Sequence, residues 1–109
     1  MAEDRSEKKK MNVQLLIAAE AEYFEILIYY DSQGRHLGDA FANAFRECVK
    51  RISMYPNAYP IVFKDIRKCR TNGFPYTLIY QIRNETAFVL AVSHDKRRPR
   101  WWKDRIIKS

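Results

Sequence analysis

No uninterrupted apolar run in this chain approaches the roughly 20 residues needed to span a bilayer, so no membrane association is expected. Cysteine is scarce: Cys48 and Cys69 are too few for a disulfide framework, and reduced thiols are the simpler reading. The three glycines (Gly34, Gly38, Gly73) stand apart from one another, which excludes a glycine-rich phosphate loop. Histidine is limited to His36 and His94, so a zinc site of four close ligands is not to be had; neither metal nor cofactor is expected. The opening "MAEDRSEKKK" has no apolar signal core, and nothing in it directs export. A cytoplasmic protein is the expectation.

What is present fits one domain. The 109 residues have room for a single core, and 47% apolar with 30% charged residues is ordinary for a globular chain. The net charge of +7 is unevenly spread. Residues 1–55 carry eight Lys and Arg against nine Asp and Glu, whereas residues 56–109 carry twelve against four. The whole excess sits in the second half, which points to a polyanionic partner: nucleic acid or an acidic protein segment.

Residues 1–10 mix both signs without periodicity and read as a flexible N-terminal extension, with Met11 as an alternative start; residues 11–109 form the domain. "MNVQLLIA" (11–18) suits a first strand. Ala19, Tyr23, Ile26, Leu27 and Tyr30 then recur at helical spacing, with Glu20, Glu22 and Glu25 as a solvated face. "DSQGRH" (31–36) breaks the helix. A second helix is predicted from about Leu37 to Met54 with the stripe Phe41, Ala44, Phe45, Cys48, Val49 and Ile52, and the prolines of "YPNAYP" (55–60) stop it. "FKDIRKCRT" (63–71) is an irregular strand with charges on both faces. "FPYTLIYQIR" (74–83) alternates cleanly, Asn84 and Glu85 make a two-residue turn, and "TAFVLAVS" (86–93) returns as an inner strand. The order is β-α-α-β-β-β: an α+β domain with a helical hairpin packed on a mainly antiparallel sheet.

The basic half ends in "SHDKRRPRWWKDR" (93–105), where six of thirteen residues are Lys or Arg. Arg67, Arg70, His94, Lys96, Arg97, Arg98, Arg100 and Arg105 are the candidate binding residues, because arginine forks take phosphate or carboxylate in bidentate fashion. Two roles are open to Trp101 and Trp102, stacking on bases or anchoring the segment in the core edge, and the second is the commoner fate of an indole. Metal-free RNA cleavage is also chemically accessible: His94 as acid or base, Tyr80 or Glu85 assisting, and Arg67, Arg97 or Arg98 stabilising the phosphorane. A lone histidine at a strand end is more often structural.

Taken in order, "AEAEYFEILIYYD", "YPNAYP", "IRKCR", "FPYTLIYQI" and "VLAVSHDKRRPRWWKDR" resemble the RelE/ParE superfamily of bacterial toxins from type II toxin–antitoxin (plasmid stabilisation) modules, over residues 12–105. The most specific part runs from "FPY" to the R-x-P-x-x-W spacing of Arg97, Pro99 and Trp102. The resemblance implies the same β-α-α-β-β-β fold. It also implies a growth-inhibiting toxin neutralised by a cognate antitoxin, whose acidic segment folds on the toxin surface. Members of the RelE branch cleave messenger RNA on the ribosome as metal-independent endoribonucleases, commonly with a C-terminal tyrosine. ParE members inhibit DNA gyrase without being nucleases. Thr77 stands where the ribonuclease branch often has arginine, and Trp102 replaces the tyrosine, so the pattern is nearer ParE. A histidine in this region occurs in some ribonuclease members, which keeps His94 a candidate. A non-toxic antitoxin-binding relative is the remaining alternative.

Overall fold

A computed structural model describes residues 10–108. The expected extension at 1–10 therefore lies, Lys10 apart, outside the described residues. Strand β1 (Asn12–Leu15) leads into helices α1 (Ile17–Gln33) and α2 (Arg35–Met54). Four strands follow: β2 (Ile61–Phe63), β3 (Ile66–Arg70), β4 (Tyr76–Arg83) and β5 (Thr86–His94), then a short 3-10 turn at Lys103–Arg105. The sheet order is β1-β5-β4-β3-β2. Only β1 and β5 run parallel, so the sheet is mainly antiparallel as expected. The irregular strand proves to be a small hairpin, β2 and β3, turning at Lys64 in a left-handed conformation (φ 53°).

The helix break is tighter than "DSQGRH" suggested. Gly34 alone separates α1 from α2, at φ 156° and ψ 134°, a region that only glycine enters freely. One residue thus turns the chain, Asp31–Gln33 complete α1, and Arg35 and His36 begin α2. The two helices then pack closely enough that a Cβ on Gly38 would lie 1.8 Å from Asp31 Oδ1.

The helical stripes meet the sheet as the spacing required. Ala19 and Ile26 of α1 and Phe41, Phe45, Cys48 and Ile52 of α2 are buried against Cys69, Leu78, Tyr80, Ala87, Val89 and Val92. The opposite sheet face is covered too. Ile66, Ile79, Leu90, Ala91 and Trp102 form a second cluster, joined by Ile106 and Ile107. Gln81, fully buried in β4, fixes the chain end there: its Oε1 accepts the Ile107 N–H at 2.9 Å and its Nε2 donates to the Ile107 carbonyl at 3.2 Å. Asn84 and Glu85 both have positive φ (52° and 65°), the type I′ geometry that suits a two-residue hairpin.

Strand β5 carries a bulge. Ile79 pairs with Ala91 but Tyr80 pairs with Val89, so Leu90 is the extra residue, and Leu90 and Ala91 both join the second cluster. β1 pairs with β5 only as far as Val89, which leaves the β5 edge open just at the bulge. Glu22 and Arg105 close it. Glu22 Oε1 accepts the Val92 N–H at 3.0 Å, Arg105 Nη1 donates to the Leu90 carbonyl at 2.9 Å, and the two side chains pair at 2.8 Å. Glu22 is therefore no solvated carboxylate like Glu20 and Glu25; its side chain is only 19% exposed and it satisfies a strand edge.

Candidate interaction site

The open end of β3, β4 and β5 and the segment after β5 share one surface. Register places Lys68 opposite Ile79 and Arg70 opposite Thr77, on the sheet face away from the helices. Asp95 begins the segment beyond β5 and pairs with Arg70 at 2.6 Å. Trp102 anchors that segment by its burial. Trp101 is held as well: its Nε1–H donates to Ser93 Oγ at 2.8 Å, and its ring lies between the Arg97 and Arg105 guanidiniums, 3.7 and 4.8 Å from its centroid. Both indoles are thus committed to folding, in line with the anchoring role. Arg100 takes positive φ (59°) and lays its guanidinium on Phe63 at 4.4 Å, tying the segment to β2.

These contacts leave a continuous basic furrow of three connected clefts. The first, about 490 Å³, is lined by Arg51, Lys68, Arg70 and Thr77 among others. A shallower one of about 190 Å³ shares Lys68 and Thr77 and adds His94, Arg97 and Arg98. The third, about 510 Å³, continues through Arg98 and Arg100 to Lys103. The side chains of Lys68 and Arg98 have no ion-pair or hydrogen-bond partner among the described residues, so both remain available to a ligand. Lys68 was not among the candidates read from the sequence. It escaped notice because its strand carries charge on both faces, and only pairing with Ile79 shows which face it takes.

The cleavage scheme assembles only in part: His94, Arg97 and Arg98 share one cleft, whereas Tyr80, Glu85 and Arg67 do not join them. Tyr80 is fully buried on the helix side, donates to the Pro56 carbonyl at 2.6 Å, and burial pushes its phenol well above the ordinary tyrosine range. Arg67 pairs opposite Tyr80 and donates to the carbonyls of Asn57 and Tyr59, holding the loop after α2. Tyr80 in turn lies opposite Val89, five residues short of His94, or roughly 15 Å along the strand. Glu85 is at the far end of β5, roughly 30 Å away. His94 itself accepts the Lys96 N–H on Nδ1 at 3.0 Å and sets its ring edge-on to Tyr76, 5.0 Å between centroids. That is the turn-capping role usual for a histidine at a strand end. Arg67, Tyr80 and Glu85 thus sit apart from the furrow, and Arg105 is spent on the β5 edge, while Arg70, His94, Arg97, Arg98 and Arg100 come together.

The family model described as the ParE toxin of type II toxin–antitoxin systems, parDE, matches residues 13–99. The chain belongs to the ParE toxin family. It is thereby the toxin component of a type II toxin–antitoxin system. Among curated ParE relatives, Toxin ParE2 of Mycobacterium tuberculosis (strains CDC 1551 / Oshkosh and ATCC 25618 / H37Rv) is 33% identical over 81 residues, covering 73% of this chain and 77% of the relative. In fold, this ParE chain resembles one from the chromosomal ParDE system of P. aeruginosa, with a TM-score of 0.68 at 15% identity, over 80% of this chain and 98% of that one. The ParE match takes in the furrow up to Pro99, whereas Arg100, Trp102 and Lys103 lie beyond it. Among the described residues of this ParE chain, no group of three His, Cys, Asp or Glu is placed to hold a metal ion, and no helix is long and apolar enough to cross a membrane.

Proposed function

We propose that this ParE-family toxin inhibits growth by binding DNA gyrase through the basic furrow, and that its cognate antitoxin lays an acidic segment over the same surface. One observation carries the reading: the exposed cations are contiguous, and of the groups in the cleavage scheme only His94, Arg97 and Arg98 lie among them, with Tyr80 buried and Arg67 and Glu85 elsewhere. A row of arginine and lysine side chains along the end of the sheet and the segment after β5 suits a carboxylate-rich or phosphate-rich partner, and complementary charge steers the encounter. A disordered acidic segment would offset its ordering cost by burying area along the furrow. The toxin domain on this reading runs from residue 11 and acts in the bacterial cytoplasm, where gyrase and the antitoxin are found.

The test uses purified toxin in a gyrase supercoiling assay. Wild-type protein should inhibit supercoiling, Lys68→Glu with Arg98→Glu should weaken inhibition at least tenfold, and His94→Ala should change it less than threefold. Inhibition absent in gyrase assays, with ribosome-dependent messenger cleavage that His94→Ala abolishes, would establish the ribonuclease instead.

A further inference from the structure

The outer face of α1 is apolar and, among the described residues, nothing covers it. Ile17, Ala21, Phe24 and Ile28 follow one another at steps of four, three and four residues, which aligns them on one side of the helix within about 60°. That side is opposite Ala19 and Ile26, the residues α1 buries in the core. Ile17 is 86% exposed, Ile28 67% and Phe24 50%. The ridge spans twelve residues, roughly 16 Å from Ile17 to Ile28. Single exposed hydrophobes need no explanation, but an aligned row on a helix marks an interaction surface.

Charge decides what kind of partner fits. Glu20 and Glu25 border the ridge on its two sides, Asp31 lies near its end, and α1 contains no lysine or arginine. Neither Glu20 nor Glu25 enters an ion pair among the described residues. A second copy docking α1 on α1 would bring like charge against like. The acidic segment proposed for the furrow is unsuited for the same reason. Residues 1–9 of this chain offer only Met1 and Ala2 as apolar side chains, too few to cover the ridge.

We propose that the outer face of α1 is a second docking surface, separate from the basic furrow, which takes an amphipathic helix of another protein whose apolar stripe is flanked by lysine or arginine. The partner's stripe packs on Ile17, Phe24 and Ile28, and its flanking cations reach Glu20 and Glu25. The two surfaces of the toxin therefore select partners of opposite charge.

The experiment measures binding of two labelled helical peptides to the intact chain by fluorescence anisotropy. Both carry the same leucine stripe at 4-3-4 spacing; one is flanked by lysines and the other by glutamates. The lysine peptide should bind saturably, and Phe24→Ser with Ile28→Ser should weaken it at least tenfold without lowering the melting temperature. Glu20→Lys with Glu25→Lys, which leaves the stripe intact, should reverse the preference on this face. Lysine-peptide binding that is absent, or equal in wild type and both variants, would overturn the proposal. So would a wild-type dimer in sedimentation that Phe24→Ser converts to monomer, because a second copy would then be the occupant.

Discussion

Replacing Trp102 with alanine should strip the toxin of much of its stability, and the size of the loss can be worked from its surroundings. The indole is 5% exposed and packs with Ile66, Ile79, Leu90 and Ala91 on the sheet face away from the helices. An aromatic side chain removes about 150–250 Å² from water, and at about 25 cal/mol per Å² that is about 4–6 kcal/mol of transfer free energy. Measured truncations of buried tryptophan cost about 3–5 kcal/mol, and the upper part of that range is expected here because the sheet strands beneath the indole cannot collapse into the gap. Domains of this size are stable by about 5–15 kcal/mol, so much of the reserve would go. The melting temperature should fall by about 16–20 °C, at about 4 °C per kcal/mol. Urea titration followed by circular dichroism measures the change. The chain's two tryptophans both lie in this segment, so fluorescence excited selectively at tryptophan reports on it alone. A Trp102→Ala loss under about 1 kcal/mol would mean that residues 95–105 do not fold on the sheet, and the furrow would lose its far wall.

Three smaller effects follow from the same packing. Glu22→Ala removes both the acceptor for the Val92 N–H and the partner of Arg105, and should cost about 2–3 kcal/mol in urea unfolding; Glu22→Gln keeps the acceptor and should cost about half as much. Tyr80→Phe removes only the hydrogen bond to the Pro56 carbonyl and should cost about 1 kcal/mol, with toxicity in a growth assay unchanged. Asp65 is held below the ordinary aspartate value by its hydrogen bond from Arg83, so its ionised form stabilises the fold above that value and the benefit fades as pH falls through the lowered one. Thermal unfolding at pH 7 and pH 3 should show a smaller acid loss in Asp65→Asn, by only a few tenths of a kcal/mol because the carboxylate is half exposed.

Much of the fold was legible because its periodicities are clean. Phe41, Phe45, Cys48 and Ile52 mark one helix face, and Leu78 and Tyr80 mark one strand face, so the helix-covered core could be read directly. The bulge in β5 could not, because a strand apolar on both faces has no alternation to interrupt at Leu90. Glu22 looked solvated since its partners, Val92 and Arg105, are 70 and 83 residues away in sequence. Gln81 gave no sign that it would hold Ile107. In the site, Arg98 and Arg100 were marked by charge density alone and do line the furrow. Arg67 shared that signal, yet its register opposite Tyr80 turns it toward the helix-side loop. Composition counts cations but does not say on which face a strand presents them.

On the proposed reading this toxin binds and poisons a target instead of cutting RNA. Pulse labelling after tightly controlled induction in a bacterial host tests it most directly, with thymidine reporting DNA synthesis and methionine reporting translation. Thymidine incorporation should fall first, in wild type and in His94→Ala alike, and Lys68→Glu with Arg98→Glu should spare it. Methionine incorporation falling first, within minutes, and restored by His94→Ala, would show a ribonuclease instead of a gyrase poison.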